Sequence, residues 1–472
     1  MLQRMGWMAV ALAASLSAGA APPATDARAD VVAVEGGHVQ GTTRDGVQVF
    51  KGIPYALAPV GALRWRAPQA PAPWSGVRPA RAYGADCMQR PFPHDDAPLT
   101  TEPSEDCLYA NVWRPAQAQG PLPVLVWIHG GGFVNGGASP PSYAGAALAR
   151  QGVLVFSFNY RLGRFGTFAH PQLSRADADG GALANYGYLD QIAALRWVRR
   201  NIAAFGGDPG NVTLMGESAG GMSVHALLTS PLAQGLFQRA VILSGGLPGS
   251  RGSLADAEQA GLRFARSVGI AADDPHALEK LRALPAEAVV GELNLETLDR
   301  STGPQGTYVF PVADGVVAVD GAAAYAAGRF NRVPLMVGAT ADDIGGPDGF
   351  MIAGARASAD LFARAGLPTW YYRFGYVAEA TRAVHPRGAA HASDIPYFMD
   401  TVGVRYGGDT RPGDEAMARR LSAYLVNFVR GGDPGGGQPG GALPAWPRYR
   451  AGVGPMLTFG MDGEVSLVDG AR

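Results

Sequence analysis

The chain has 472 residues, of which 47% are hydrophobic, and its formal net charge at pH 7 is −1. This composition is typical of a folded globular protein and excludes a chain that is disordered throughout. The near-zero net charge gives no electrostatic basis for binding nucleic acid or an acidic membrane surface.

The first 20 residues have the pattern of a secretory signal peptide. Arg4 precedes the apolar stretch GWMAVALAASLSAGA, whose last three residues form an A-x-A cleavage pattern that ends at Ala20. The stretch is too short to span a bilayer, and no other segment is a candidate membrane span. Residues 21–34 follow as a loose polar spacer. We therefore predict a secreted or periplasmic protein cleaved near Ala20; a buried N-terminal helix is the alternative.

Cys87 and Cys107 are the only cysteines in the chain. An exported protein meets an oxidising compartment, in which a single pair of cysteines forms a disulfide. The bridge would close a loop of about 20 residues and stabilise the fold by roughly 3 kcal/mol in the chain-entropy model. Two free thiols are the alternative if the chain is not exported.

Continuous apolar runs alternate with helical patterns along the rest of the chain. Runs of Val, Ile, Leu and Phe are typical of strands that are covered on both faces. Between them lie amphipathic segments such as 189–205, and a Gly/Pro-rich loop occupies 431–444. The alternation predicts an α/β fold with a mostly parallel central sheet and helices on both faces. The predicted strands are 122–129, 152–160, 211–218, 239–246, 333–340 and 369–376.

A histidine and three glycines, in the sequence WIHGGGF, end the strand at 122–129. Glycine N–H groups can approach a substrate oxygen closely, and H-G-G-G after a strand is the oxyanion-hole motif of esterases and lipases. A flexible loop is the alternative interpretation of a glycine triplet.

The sequence GESAG stands where the strand at 211–218 passes into a helical pattern. In a G-x-S-x-G turn the chain reverses so sharply that Gly216 and Gly220 must lack side chains, and Ser218 then projects above the sheet. The helix that follows places backbone N–H groups near a developing oxyanion. Glycine is abundant here, so a tight structural turn is the alternative. The strand–turn–helix context favours Ser218 as a nucleophile.

Several long motifs occur in a fixed order between about residue 35 and residue 449. They are EDCLYANVW (105–113), HGGGF (129–133), NYRLGRFGTF (159–168), NYGYLDQIAALRWVRRNIAAFGGDP (185–209), FGGDPGNVTLMGESAG (205–220) and FPVADG (310–315). In these motifs the chain resembles the type-B carboxylesterases, the cholinesterase-like branch of the α/β-hydrolases, and in particular their secreted bacterial members. The resemblance implies one α/β-hydrolase domain over residues 35–472.

The resemblance also implies roles for individual residues. Glu217, beside the nucleophile, would be a buried carboxylate, and Cys87–Cys107 would be the family's early disulfide. Three residues would donate the oxyanion-hole N–H groups: Gly131, Gly132 and Ala219.

The base must follow the nucleophile, because the chain order in this fold is serine, acid, histidine. Four of the eight histidines follow Ser218: His225, His276, His385 and His391. His225 lies on the helix that follows the serine, and His276 lies in a charged helical stretch without a motif.

The base should lie after the last core strand at 369–376, which leaves His385 and His391. The segment HASDIPYF resembles the family's catalytic histidine segment, so we predict His391 as the base and Asp394 as a supporting carboxylate.

The acid should follow the preceding core strand at 333–340. Asp342 and Asp343 both qualify by position, and Asp348 is a more distant candidate. The family has a glutamate at this position, preceded by an aspartate. That register places Asp343 at the catalytic position and Asp342 beside it as a supporting residue. Because aspartate is one methylene shorter than glutamate, the loop must lie closer to His391.

His391 follows Asp343 by only 48 positions, whereas the family normally has a longer helical insertion there. The resemblance therefore implies a reduced cap region near 344–366. Our hypothesis is that the active site is more open than in typical members and accepts bulkier or more polar esters.

Together these features predict a serine hydrolase that cleaves small-molecule carboxylic esters through a Ser218–His391–Asp343 triad and an acyl-enzyme. No metal ion or organic cofactor is expected. Hydrolysis of amides, carbamates or lactones by the same residues is one alternative, and a non-catalytic cholinesterase-like binding domain is another.

Overall fold

The structure is a computed structural model that describes residues 30–93, 95–247, 252–436 and 443–469. The predicted signal peptide (1–20) lies outside these residues, as do residues 21–29 of the predicted spacer and residues 437–442 of the predicted loop. The last residues of the predicted spacer, Val31–Val34, form a strand. In the described part of the chain no helix is long and apolar enough to cross a membrane.

The strands are short to medium in length and alternate with helices along most of the chain. They are β1 Val31–Val34, β2 Gly37–Gln40, β3 Thr42–Arg44, β4 Val47–Pro54, β5 Val77–Pro79, β6 Tyr109–Pro115, β7 Leu122–Ile128, β8 Leu154–Phe158, β9 Thr167–Phe168, β10 Ala184–Asn185, β11 Gly207–Glu217, β12 Arg239–Leu243, β13 Leu335–Thr340, β14 Thr369–Phe374, β15 Met456–Phe459 and β16 Val465–Val468.

The helices range from single turns to five-turn segments. They are α1 Ala146–Arg150, α2 Gly163–Gly166, α3 Pro171–Ala176, α4 Tyr186–Asn201, α5 Ala219–Thr229, α6 Leu254–Ser267, α7 Ala277–Arg282, α8 Ala286–Val290, α9 Leu298–Thr302, α10 Gly321–Ala326, α11 Phe350–Arg364, α12 Ile395–Phe398, α13 Val402–Tyr406 and α14 Pro412–Gly431.

A central sheet of 11 strands organises the molecule, in the order β16-β15-β14-β13-β12-β11-β7-β8-β6-β4-β3. The strands from β15 to β8 in this order run parallel to one another. Antiparallel strands extend both ends: β16 at one, and β6, β4 and β3 at the other. The predicted mostly parallel sheet is therefore confirmed, with antiparallel edges in addition.

Helices cover both faces of this sheet, which explains the continuous apolar strands. On β7, Val124 and Val126 pack into one hydrophobic cluster, whereas Leu125 and Trp127 pack into a second cluster on the opposite face. The first cluster includes side chains of α4, α5 and α11, and the second includes side chains of α1, α12 and α14. Successive side chains of a strand point to opposite faces, so a strand buried on both sides has no polar alternation.

Each of the six predicted strands corresponds to an observed strand: β7, β8, β11, β12, β13 and β14. The predicted helix at 189–205 is α4 followed by a 3₁₀ turn at Ile202–Phe205. Residues 344–349 form only a turn, and the single helix α11 then packs against β13 and β14. The segment between the two strands is thus a compact crossover, as expected for neighbouring parallel strands.

A buried ion pair joins the segment after β8 to α4. Arg161 donates from Nη2 to Asp190 Oδ1 at 2.7 Å and from Nε to Oδ2 at 2.8 Å. The backbone N–H of Arg161 adds a third hydrogen bond to Oδ2 at 3.0 Å, and both residues are buried. Because the two buried charges compensate each other, removal of one partner leaves the other buried without its direct counter-ion.

We expect Asp190→Ala to lower the free energy of unfolding by about 3–5 kcal/mol, because the Arg161 guanidinium then loses its counter-ion. Glu35→Ala is the matched control. It breaks a half-exposed ion pair with Arg200 and should lower the free energy by about 1 kcal/mol or less. Urea unfolding measures both values. Equal losses in the two variants would contradict a structural role for the buried pair.

Candidate active site

Three predicted site segments leave the sheet at the same edge. The strands β11, β13 and β14 belong to the parallel part of the sheet and end at Glu217, Thr340 and Phe374. In open α/β sheets, ligands bind in the crevice at the carboxyl ends of the strands. The segments that carry the predicted nucleophile, acid and base therefore start from this edge.

Ser218 occupies the turn between β11 and α5, with φ 53° and ψ −120°. A positive φ is unfavourable for a residue with a side chain, so the turn is strained. It is also tightly closed, because a Cβ on Gly216 would lie 2.3 Å from Gly220 O and a Cβ on Gly220 would lie 2.1 Å from Ile128 O. Since α5 begins at Ala219, the unpaired N–H groups of its first turn lie beside the serine.

Asp343 is the aspartate that contacts the predicted base. His391 donates from Nδ1 to Asp343 Oδ1 at 2.6 Å. The same carboxylate accepts hydrogen bonds from Ser244 Oγ at 2.6 Å, from Thr340 N at 3.1 Å and from Ile344 N at 2.8 Å. Its side chain is completely buried. Asp343 is therefore fixed by three groups besides the histidine.

The Asp342 carboxylate binds an arginine. Its Oδ1 accepts a hydrogen bond from Arg387 Nε at 3.0 Å, and the arginine is exposed. A parallel β-bridge pairs Asp342 with Ala390. Because this bridge aligns the two loops, the next residue of each, Asp343 and His391, lie side by side.

The second ring nitrogen of His391 faces the nucleophile turn. His391 Nε2 lies 3.2 Å from Glu217 Oε1, and Glu217 directly precedes Ser218 in the chain. Glu217 is buried. The imidazole is thus placed between Asp343 on one side and the turn that carries Ser218 on the other.

Buried carboxylates surround the imidazole and change its protonation. Burial raises the pKa of Glu217 to about 8 and that of Asp394 to about 6. Burial disfavours the charged form of His391, but Glu217, Asp343 and Asp394 outweigh it and raise the pKa of His391 to about 9. For Asp343, burial favours the neutral acid, yet the hydrogen bonds from His391 and Ser244 lower its pKa. Glu217 and His391 therefore titrate as a coupled pair.

The loop after β7, residues 129–136, lies beside Ser218 and is called the oxyanion loop below. A Cβ on Gly130 would lie 3.1 Å from Ser218 Cβ. Gly131 and Gly132 have φ values of 105° and 62°. In the part of the chain that the structure describes, no backbone carbonyl accepts a hydrogen bond from the N–H groups of Gly131 and Gly132. These two N–H groups are free to bind a substrate oxygen.

The remaining histidines after the serine occupy other environments. His225 is buried, and its Nδ1 lies 2.8 Å from the hydroxyl of Tyr325. His276 is exposed. His385 lines a cavity of about 100 Å³ that His391 also lines. Of the four candidates, only His391 contacts the predicted acid.

The structure also contains the predicted disulfide between Cys87 and Cys107. Sequence reasoning missed Ser244, which binds Asp343, and Tyr372, whose hydroxyl donates to Asp394 Oδ2 at 2.9 Å. Neither residue belongs to a motif. The only available signal for Ser244 was its position near the end of the strand predicted at 239–246; in the structure it directly follows β12.

The parallel sheet and the strained serine turn define the class of protein: the chain has the α/β-hydrolase fold. A sequence model of the Carboxylesterase family matches residues 28–348 and 346–467. The chain belongs to this family, and the resemblance to type-B carboxylesterases is confirmed.

Similar proteins agree with this assignment. Fumonisin B1 esterase of Sphingopyxis macrogoltabida is 34% identical over 518 residues, which cover 96% of this chain and 91% of that protein. Para-nitrobenzyl esterase of Bacillus subtilis (strain 168) is 43% identical over 319 residues, which cover 66% of this chain and 63% of that protein. A solved structure of PNB esterase matches with a TM-score of 0.80 and 31% identity over 93% of this chain and 97% of its own. The chain is a carboxylesterase.

We expect Glu217→Gln to lower the pKa of His391, because Glu217 makes the largest favourable contribution to the imidazolium charge. NMR titration of the histidine ring protons measures this pKa. Asp394→Asn is the matched control. It removes a weaker attraction and should lower the pKa of His391 less. An unchanged pKa in Glu217→Gln would show that the two groups are not coupled.

Proposed function

We propose that this carboxylesterase hydrolyses small-molecule carboxylic esters with Ser218 as the nucleophile, His391 as the general base and Asp343 as the carboxylate that orients the imidazole. The 2.6 Å contact between His391 Nδ1 and Asp343 Oδ1 carries this proposal. A carboxylate that accepts the Nδ1 proton fixes the tautomer in which Nε2 is the acceptor. That nitrogen is on the side of the Ser218 turn.

In the first half of the proposed reaction, Ser218 Oγ attacks the ester carbonyl carbon and His391 Nε2 takes its proton. The carbonyl oxygen becomes an oxyanion, which the N–H groups of Gly131, Gly132 and Ala219 stabilise. The tetrahedral intermediate then collapses. His391 gives its proton to the leaving alkoxide, the alcohol departs and the acyl group remains on Ser218.

In the second half, a water molecule attacks the acyl-enzyme and His391 takes its proton. The same N–H groups stabilise the second oxyanion. Collapse returns the proton to Ser218 Oγ and releases the carboxylic acid. Asp343 stabilises the imidazolium in both halves and stays ionised throughout. No metal ion or organic cofactor enters these steps.

Exposed apolar side chains near the site favour substrates with apolar groups. Ile344, directly after Asp343, is 55% exposed, and Phe350 is 49% exposed. On the other side, a Cβ on Gly132 would lie 2.7 Å from Leu295 Cδ2, so Leu295 borders the oxyanion loop. Exposed apolar side chains next to a polar site favour contact with an apolar ligand. We propose that the reduced cap region leaves these side chains open to bulky esters.

We also propose that the mature protein acts in the periplasm or outside the cell. The disulfide between Cys87 and Cys107 supports this location, because structural disulfides persist in oxidising compartments. The predicted signal peptide would direct the chain there.

A panel of p-nitrophenyl esters and p-nitroanilides tests the proposed function. Wild type should hydrolyse the esters, and Ser218→Ala should lower kcat about 10⁶-fold while the protein stays folded. Ser230→Ala is the matched control. It removes another buried serine hydroxyl, one that caps a 3₁₀ turn, and should retain wild-type rates.

Three results would contradict the proposal. Ester hydrolysis retained in Ser218→Ala would refute the nucleophile. Faster cleavage of the anilides than of the esters would indicate an amidase. A wild-type protein that binds esters but hydrolyses none would indicate a binding domain.

A further inference from the structure

The oxyanion loop has an unusual backbone conformation, with positive φ at three glycines and at Phe133. Positive φ values cost of order 1 kcal/mol or more for a non-glycine residue. Inside the loop, the N–H groups of Val134 and Asn135 both donate to Gly131 O, at 3.0 and 2.9 Å. Four loop residues have positive φ: Gly131 (105°), Gly132 (62°), Phe133 (62°) and Gly136 (104°).

The buried amide of Asn135 joins this loop to two other segments. Its Nδ2 donates to Gln89 Oε1 at 3.2 Å and to Arg90 O at 2.8 Å. Its Oδ1 accepts a hydrogen bond from Leu295 N at 2.9 Å, and the residue is 1% exposed. Both amide hydrogens are used. Asn135 therefore ties the loop to the disulfide-closed segment 87–107 and to the 3₁₀ turn that begins at Leu295.

Gln89 holds the same loop at its end. Its Nε2 donates to Gly136 O at 2.6 Å and to Cys87 O at 2.9 Å. Its Oε1 accepts hydrogen bonds from Gly136 N at 2.9 Å and from Asn135. Every hydrogen-bonding site of this buried amide is in use. Since Cys87 is bridged to Cys107, Gln89 anchors the loop to a covalently closed segment.

The contact of Asn135 with Leu295 also reaches the apolar wall above the loop. A Cβ on Gly132 would lie 2.7 Å from Leu295 Cδ2 and 3.3 Å from Leu298 Cδ2. The Asn135 amide therefore anchors both the oxyanion loop and the 3₁₀ turn that begins at Leu295, whose side chain packs over Gly132. Displacement of Asn135 would move both sides of this contact.

We infer that Asn135, supported by Gln89, is a positioning residue that holds the N–H groups of Gly131 and Gly132 where the oxyanion of the reaction forms. This inference rests on the proposed function. Asn135 does not touch the substrate, so its loss leaves ground-state binding nearly intact and weakens binding of the transition state. The expected signature is a lower kcat with little change in KM.

Steady-state hydrolysis of a p-nitrophenyl ester by Asn135→Ala tests the inference. We expect kcat to fall about 10–100-fold and KM to change less than about threefold, because loss of a whole oxyanion donor lowers kcat about 10²–10³-fold and a displaced donor retains part of its effect. A trifluoromethyl ketone provides a second readout. Ser218 adds to its carbonyl carbon, His391 takes the serine proton, and the resulting hemiketal oxyanion occupies the same hole. Its affinity should fall by a factor similar to that of kcat.

Asn331→Ala is the matched control for the loss of a buried amide. Asn331 donates to Leu227 O and Leu228 O at 3.2 Å and accepts a hydrogen bond from Gly235 N at 3.2 Å, far along the chain from the oxyanion loop. This variant should lose stability as Asn135→Ala does but keep kcat and inhibitor affinity. Gln89→Leu should reproduce the lower kcat. Combined with Asn135→Ala, it should add little, because the two amides act as one unit.

Unchanged kcat and inhibitor affinity in folded Asn135→Ala would overturn the inference. An equal loss of both in Asn331→Ala would overturn it too, since the effect would then be general destabilisation. If Asn135→Ala does not fold, kcat and inhibitor affinity are measured in Gln89→Leu instead, and unchanged values there would overturn the inference. Failure of the proposed function gives a different result: wild type is inactive on esters, or Ser218→Ala remains active.

Discussion

The hydrogen bond between Asp343 and His391 is the interaction on which the rest of this site depends. It joins two loops that leave the neighbouring parallel strands β13 and β14, and the β-bridge of Asp342 with Ala390 sets their register. A slip of one residue in that register would turn Asp343 away from the imidazole. Ser244, at the end of β12, fixes the other carboxylate oxygen. Aspartate is shorter than glutamate, yet Asp343 reaches His391 because the ends of the neighbouring strands β12, β13 and β14 position the two residues.

The protonation of the site follows from the burial of its carboxylates. Asp343 receives enough hydrogen bonds to stay ionised, whereas burial raises the pKa of Glu217 to about 8. The charge of Glu217 is in turn the largest single cause that raises the pKa of His391, to about 9. Under the proposed mechanism these carboxylates stabilise the imidazolium that forms when His391 takes the serine proton. Two carboxylates beside one histidine act differently because one is hydrogen-bonded and the other is mainly desolvated.

Local sterics made part of this structure predictable from the sequence. The tight turn at Ser218 demands glycines at fixed spacing, and strands covered on both faces demand continuous apolar runs. The exposed edge strand β3 carries no such signal and was not predicted. The choice of Asp343 over Asp342 rested on a family register. The structure adds a physical reason for this choice, the hydrogen bond from Ser244 to Asp343. These two residues are 99 positions apart, and the spacing of residues in the sequence does not reveal such a contact. The amide of Asn135 escaped prediction for the same reason.

Ester hydrolysis by Asp343→Asn and Asp342→Asn, measured side by side, tests the central claim most directly. Asparagine at 343 can donate to Nδ1 and so favours the wrong imidazole tautomer, which should lower kcat about 10⁴-fold. Asp342→Asn removes only a contact with an exposed arginine and should stay within about tenfold of wild type. A greater loss of kcat in Asp342→Asn than in Asp343→Asn would contradict the claim that Asp343 orients His391.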